Sequence, residues 1–240
     1  MTGLSHSEKL RLTISLAQPY LNHLSHLFWT YQHLDELFPE YLFTLHTSMR
    51  STVPMLEAAA ARSRTLAPND QVAARLVPYF LEHAREELHH DDWLLEDMKA
   101  LGIDPATVLK RQPTVGVAQM IGAQYYWLYH AHPVTVLGCF AVLEGSPPEV
   151  ETLDAVVERS GIPKASLRTL YKHAQLDPHH RDDLDRVLDD LPLAPDHVAL
   201  LGTSALHAVE QLGGILSTLL AGAGHPEISD PRTSAASALK

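Results

Sequence analysis

The order of apolar and polar positions along the chain reads as helical nearly throughout. No stretch carries a long valine–isoleucine alternation, and no Asn-Gly or Asp-Gly pair marks a hairpin. Proline, glycine and capping residues divide the pattern. A short helix is predicted over 8–18, stopped by Pro19, and a second from an Asn22 cap to about Leu37. Pro39 suits the first turn of a third, over 40–64, with a kink at Pro54. Pro68-Asn69-Asp70 starts a long helix that Gly102 closes as its C-cap. Asp104-Pro105 caps a short one. Pro113 precedes another, reaching about His132 through Tyr126 and Trp127, and Pro133 kinks the chain into the apolar segment 134–144. Pro147-Pro148, Ile162-Pro163 and Leu193-Ala194-Pro195 punctuate three more helices. The predicted fold class is all-α: a single-domain helical bundle over 1–220 and a flexible tail over 221–240.

Composition narrows the class. The 240 residues are 45% hydrophobic and 20% charged, which is globular usage. Acids outnumber Lys and Arg by 29 to 18, for a net charge of −11, the wrong sign for a nucleic-acid surface. The longest apolar run, 136–143, is far short of the roughly 20 residues that span a bilayer. The first eleven residues carry no signal-peptide pattern. A cytoplasmic protein with no nucleic-acid or membrane partner is expected. One cysteine, Cys139, excludes an internal disulfide and any Cys-rich metal site.

The unusual count is 16 histidines. Two predicted helices carry the same triplet, His83-x3-Glu87-x2-His90 and His173-x3-Asp177-x2-His180. At about 100° per residue, positions i, i+4 and i+7 share one helix face. Acid-x-x-His from two facing helices, with acids from others, is how helical bundles hold two irons. Imidazole with hard carboxylates at open positions favours iron. Glu144 ends an uncharged run; it either binds a cation from a buried position or, with Gly145 ending the helix, reaches water. The stretch 124–133, rich in Tyr and Trp, either packs in the core or forms a pocket wall through Tyr126, His130 or His132. His23, His26 and His46 read as surface and His33 as a pocket candidate. The acids at 182–190 read as a solvated face.

These residues resemble a known family. Leu81 to Gly102, with His83, Glu86-Glu87, His90-Asp91, Trp93-Leu94 and Leu101-Gly102, is similar to the signature of the haem-oxygenase-like diiron oxidases. These are iron-containing redox enzymes related to the thiaminase-2/TenA and pyrroloquinoline-quinone-synthase folds. Val142-Leu-Glu-Gly145 and His173-Ala-Gln-Leu-Asp-Pro-His-His180 match later blocks in order and spacing, so the likeness spans about residues 30–215.

The resemblance implies a haem-oxygenase fold and a site of six ligands for two irons per chain, Fe(II)/Fe(III). Glu87, His90 and His173 fall on one iron and Asp177 and His180 on the other, with Glu144 bridging or leaning to the second. His83 is an extra ligand or stands behind one. The family commonly has glycine where this chain has His89, and the registers Glu82 with His89, or His83 with His90, stay open, as does iron against manganese. O2 is the implied co-substrate, with an external reductant. The implied substrate is a small amino acid, amine or carboxylic acid, and Glu87 and Glu144 are the implied catalytic groups; Tyr126 joins them only through the pocket-wall reading of 124–133. Outcomes in such enzymes are N-oxygenation, C–C cleavage, desaturation or cyclisation in specialised biosynthesis. A homodimer is compatible with the sequence. The competing readings are a metal-free TenA-like hydrolase dependent on Cys139, a haem protein with one axial His, and a non-catalytic helical module.

Overall fold

The computed structural model describes residues 3–145, 147–225 and 228. The described residues form eleven α-helices and one 3₁₀ turn, with no strand. The first helix, α1 (His6–Thr30), starts at a capping box in which Ser5 and Glu8 satisfy each other's backbone N–H groups. It does not stop at Pro19. Leu10, Ile14, Leu24, Leu27 and Phe28 are buried along one stripe, with Ala17 and Leu21 packed between them. Pro19 is exposed, as is Ser15, whose carbonyl loses its helical donor to the proline. Water can solvate that carbonyl, and burial of the stripe outweighs the lost bond.

Two predicted helices break where none was expected. The segment 22–37 divides at Tyr31-Gln32-His33 before α2 (Leu34–Met49), leaving Pro39 in the second turn of α2. The segment 40–64 divides at Arg50-Ser51 rather than kinking at Pro54. The Pro54 ring opposes the carbonyl four residues back, and α3 (Thr52–Leu66) restarts so that Pro54 lies in a first turn, where no N–H is required.

The third unexpected break shapes the site. Asp70 caps α4 (Gln71–Glu86) by accepting from Ala73 N–H at 2.9 Å. The helix ends at Glu86 instead of continuing to 102. His89 adopts the left-handed conformation, φ 68°, and α5 (His90–Ala100) begins on the next residue. Its C-terminus ends as predicted, at Gly102 with φ 79°: Gly102 N–H donates to the Lys99 carbonyl and Ile103 N–H to that of Met98.

The short α6 (Pro105–Lys110) and α7 (Val115–His130) lead to α8 (Thr135–Leu143), which is buried on all sides. Gly138 lets α11 (Pro195–Gly222) lie against α8. A Cβ at Gly138 would stand 2.3 Å from the Leu201 carbonyl oxygen. Between them in sequence come α9 (Val150–Ser160), the 3₁₀ turn Lys164–Leu167 and α10 (Arg168–Asp190), which runs unbroken through Pro178.

Two apolar clusters form the core. One surrounds α8 with Phe80, Ala84, Phe140, Leu184 and Leu188, and the other gathers Phe28, Phe38, Phe43, Leu94 and Leu170. Both α4–α5 and α10 cross from one cluster to the other, over 84–94 and 170–184. The two triplets occupy those crossings. Buried Asp97 of α5 accepts from Thr169 N–H at 2.9 Å and so ties α5 to the first turn of α10. Arg11 reaches Asp185 of α10 and the Ala141 carbonyl of α8, each at 2.8 Å. Asp189 accepts from Ser7 N–H and Oγ. Part of the acid run at 182–190 is thus a seam with α1 rather than a solvated face. No helix among the described residues is long and apolar enough to cross a membrane. Of the expected tail, α11 continues to Gly222, and 226, 227 and 229–240 lie outside the described residues.

A second polar cluster joins α4, the turn after α7 and the start of α11. His132 Nδ1 accepts from Val134 N–H at 3.0 Å, which puts its proton on Nε2, 3.1 Å from Asp70 Oδ2. His197 packs 4.6 Å from the His132 ring, and its own Nδ1 accepts from Ala194 N–H. Asp70, His132 and His197 hold potential ligand atoms close together. Because each Nδ1 already accepts a backbone N–H, both imidazoles carry their protons on Nε2, and Asp70 and His132 form a hydrogen-bonded tie against which the His197 ring packs.

Two predictions follow from this architecture. A left-handed non-glycine residue costs about 1 kcal/mol or more, and His89 is exposed, so His89→Gly raises unfolding stability by about 1 kcal/mol in urea titration. An unchanged midpoint contradicts the strain. Burial, opposed by Asp70, lowers the His132 pKa from its ordinary value. Its contribution is therefore complete above the unfolded value of about 6.5 and is lost as pH falls through the folded one. The part of the pH dependence that His132 supplies is a loss of stability between pH 7 and 5, read as the difference between the wild type and His132→Asn; His46 and His207, which burial lowers, and His83 and His173, which their acids raise, remain in both proteins. An identical slope in the variant refutes the tie.

Candidate metal centre

The break between α4 and α5 brings His83, Glu87 and His90 together by a route other than one helix face. His83 is the last buried polar residue of α4, Glu87 caps its C-terminus, and His90 opens α5. His90 Nδ1 lies 3.2 Å from Glu87 Oε2. On α10 the helical rule holds: His173, Asp177 and His180 face the same way, with His173 Nδ1 2.8 Å from Asp177 Oδ1. Glu144 caps the C-terminus of α8. It does not reach water: it is 8% exposed, and its Oε1 lies 3.0 Å from His83 Nε2.

These side chains form two groups whose ligand atoms lie within 4.8 Å of one another. The first is His83, Glu87, Glu144 and His180, and the second is Glu87, His90 and His173. Glu87, itself 5% exposed, belongs to both. His180 Nδ1 stands 3.8 Å from Glu87 Oε1. Asp177 is in neither group; it holds the Nδ1 side of His173 instead, which leaves His173 Nε2 facing inward. Glu82 and His89 are not brought in. Glu82 is exposed and pairs with Arg85, and exposed His89 meets Asp92.

The buried atoms show what the site requires. His83 Nε2 and His90 Nδ1 face Glu144 Oε1 and Glu87 Oε2 at 3.0 and 3.2 Å, whereas Glu87 Oε1, Glu144 Oε2, His173 Nε2 and His180 Nδ1 are buried without a hydrogen-bond partner among the described residues. Four unpartnered ligand atoms converging in one space are costly unless a cation fills it. Imidazole nitrogen with carboxylate oxygen is a donor set that suits iron.

The electrostatics agree. Burial pushes the Glu144 carboxyl up, and the His83 contact only partly offsets it. Burial likewise raises Glu87, but the neighbouring His90 reverses the sign and holds it below the ordinary range. Burial pulls His83 and His173 down, yet Glu144 and Asp177 respectively carry them above it. Each imidazole has an orienting neighbour. Tyr79 Oη is 3.1 Å from His83 Nδ1, Glu86 is 3.9 Å from His180 Nε2, and Trp93 stacks on His90 with ring centres 3.9 Å apart. A hydrogen-bonding partner, as Tyr79 is to His83 and Asp177 to His173, orients the ring of a metal-binding His. The sequence reading missed Tyr79; its signal was its place one turn before His83.

A cavity of about 510 Å³ opens on Glu87, Glu144, His173 and Asp177. Its walls come mainly from α1, α2, α7, α8 and α11, including Phe28, Met120, Phe140 and Leu216. Tyr126, expected at this wall, is 64% exposed on the outer face of α7 and stacks with His130. His132 belongs to the tie with Asp70, and His33 is exposed at the start of α2. The aromatic segment presents its polar tips outward because the inward face of α7 is Val117, Met120, Ile121, Gln124 and Leu128. His46, read as surface, is buried.

A sequence profile of a family described as "Iron-containing redox enzyme" matches residues 31–210. A search of curated proteins finds no match. Among solved structures, a domain of unknown function with a heme oxygenase-like fold from Shewanella denitrificans OS217 is similar at 15% identity. Its TM-score is 0.76, over 92% of this chain and 94% of that one. A TenA homolog from Pseudomonas syringae pv. tomato DC3000 is similar at 13% identity and TM-score 0.69, over 91% and 97%. A TenA homologue from P. horikoshii OT3 is similar at 13% identity and TM-score 0.56, over 91% and 100%. The fold is heme oxygenase-like, as the sequence blocks implied.

Replacing Tyr79 by Phe leaves the buried His83 Nδ1 without its partner. The variant loses about 1 kcal/mol of stability in urea titration of metal-free protein. No loss would mean that the Tyr79 contact does not hold the ring.

Proposed function

The chain belongs to the iron-containing redox enzyme family, and from that premise we propose that it is a non-haem diiron oxidase acting with O2 and an external reductant. The substrate is a small organic acid, amino acid or amine. The observation that carries this reading is the position of Glu87 in both ligand groups. We assign His83, Glu144 and His180 to one iron, His90 and His173 to the other, and Glu87 to both. Glu144 would thus serve one metal and Glu87 would be within reach of both, while Asp177 orients His173.

Two irons bound there supply the electrons and Lewis acidity that O2 activation needs. The protein's own groups do the rest. Tyr79 Oη accepts from His83 Nδ1–H, and Asp177 Oδ1 accepts from His173 Nδ1–H, so both Nε2 lone pairs point into the site. Trp93 holds the His90 ring plane. Only two of the assigned ligands, Glu87 and Glu144, are carboxylates, while Asp177 and Glu86 stand behind the imidazoles of His173 and His180. A substrate carboxylate is drawn to the positive charge the metals keep towards the cavity. Phe28, Phe140 and Leu216 keep bulk water from that end. Cys139 speaks against the cysteine-dependent alternative: it is buried in α8, and burial pushes its thiol up to about 12.

The test is a metal count. After anaerobic reconstitution with Fe(II) and desalting, plasma mass spectrometry gives about two irons per chain in the wild type. The count falls to about one in His173→Ala and near zero in Glu87→Ala, with helical circular dichroism preserved in both. Two irons retained by Glu87→Ala would overturn the assignment.

A further inference from the structure

We infer that α2 presents a row of hydroxyls that selects a substrate bearing neutral hydrogen-bonding groups along its length, rather than a plain hydrocarbon chain or a second carboxylate. The inference rests on the diiron reading only for the end of the cavity at which the substrate reacts.

Tyr41, Thr44 and Ser48 fall at i, i+3 and i+7 of α2, on one face, and all three line the cavity. At 1.5 Å per residue the row extends over about 10 Å. The protein uses none of these hydroxyls. Outward-facing helical threonines turn their hydroxyls back on the helix: Thr13, Thr30, Thr65, Thr203 and Thr218 each donate to the carbonyl four residues earlier, whereas buried Thr135 and Thr169 do not. Thr47, on the same helix, donates to the Thr44 carbonyl. Thr44 does neither. It is 5% exposed, and its Oγ1 has no partner among the described residues. The hydroxyls of Tyr41 and Ser48 likewise make no hydrogen bond to the described residues.

The Tyr41 ring is held by Phe28, Trp29 and Phe38, at centroid distances of 4.7, 5.5 and 6.0 Å. Burial raises its pKa, so it meets a ligand as a neutral phenol. A hydroxyl donates and accepts, and a row of them suits amide, hydroxyl or ether groups. A methylene chain laid along α2 would strip water from these groups and return nothing. No Lys or Arg lines the cavity among the described residues, and Glu149 lines it as a further acid. A second carboxylate far from the metals would therefore find no cation there and would meet like charge at the exposed Glu149.

Four probes of similar length separate the possibilities: decanoate, 10-hydroxydecanoate, octanoylglycine and decanedioate. Their binding is measured by calorimetry to metal-free and Mn(II)-loaded protein, with metal counted in every sample. The wild type binds octanoylglycine or 10-hydroxydecanoate at least tenfold more tightly than decanoate, and decanedioate most weakly. The triple variant Tyr41→Phe, Thr44→Val, Ser48→Ala reverses the first preference; should it fail to fold, the shape-conserving Thr44→Val alone reduces it severalfold. Decanoate binding tightest to the wild type, an unchanged order in the variants, or no probe binding at all would overturn the inference. Failure of the diiron reading has a different signature, an absent metal with the order of probes intact.

Discussion

The site is arranged around two buried glutamates, Glu87 and Glu144. Glu87 and Glu144 stand at the C-terminal ends of α4 and α8, where the local helix field disfavours negative charge. Burial adds a second penalty. Four buried or half-buried imidazoles converge on them, and several of the facing nitrogens and oxygens have no partner. A fold that paid only for hydrophobic burial would not keep such a cluster. The donor set, the orphaned atoms and the family membership point the same way, toward bound cations at this place.

The surrounding structure serves that convergence. Asp97 seats the first turn of α10, Arg11 ties α10 to the end of α8, and the close approach of α8 and α11 at Gly138 fixes the depth of Glu144. Tyr79, Asp177 and Trp93 then orient individual rings. The cavity begins where these contacts end. One of its ends is thus defined by charged groups of fixed orientation and its walls by apolar side chains and the hydroxyls of α2.

Much of this was legible in the sequence, though not always for the reason that made it so. The all-α class followed from helical patterning, and the blocks at 81–102, 142–145 and 173–180 pointed to the family. In α10 the triplet sits on one helix face as its spacing requires. In the first triplet the spacing argument failed and the residues still met, because a left-handed residue at 89 ends one helix and starts another. His89 stands where the resembling family commonly has glycine, so the departure noticed in the sequence marked the turn itself. Pro19 was misread because a solvent-facing proline on a well-buried stripe does not end a helix. Tyr126 was misread because composition says a segment is aromatic but not which face turns inward. The pairing of Asp177 with His173, rather than with a metal group, depends on side-chain directions that residue spacing does not carry.

The central claim is that Glu87 lies between two metal ions. Anomalous diffraction at the iron edge, from crystals grown anaerobically with Fe(II), tests it most directly. Two peaks are predicted, one among His83, Glu144 and His180 and one between His90 and His173, with Glu87 in contact with both. A single peak that Glu87 does not touch, or iron found only at the Asp70, His132 and His197 cluster, would contradict it.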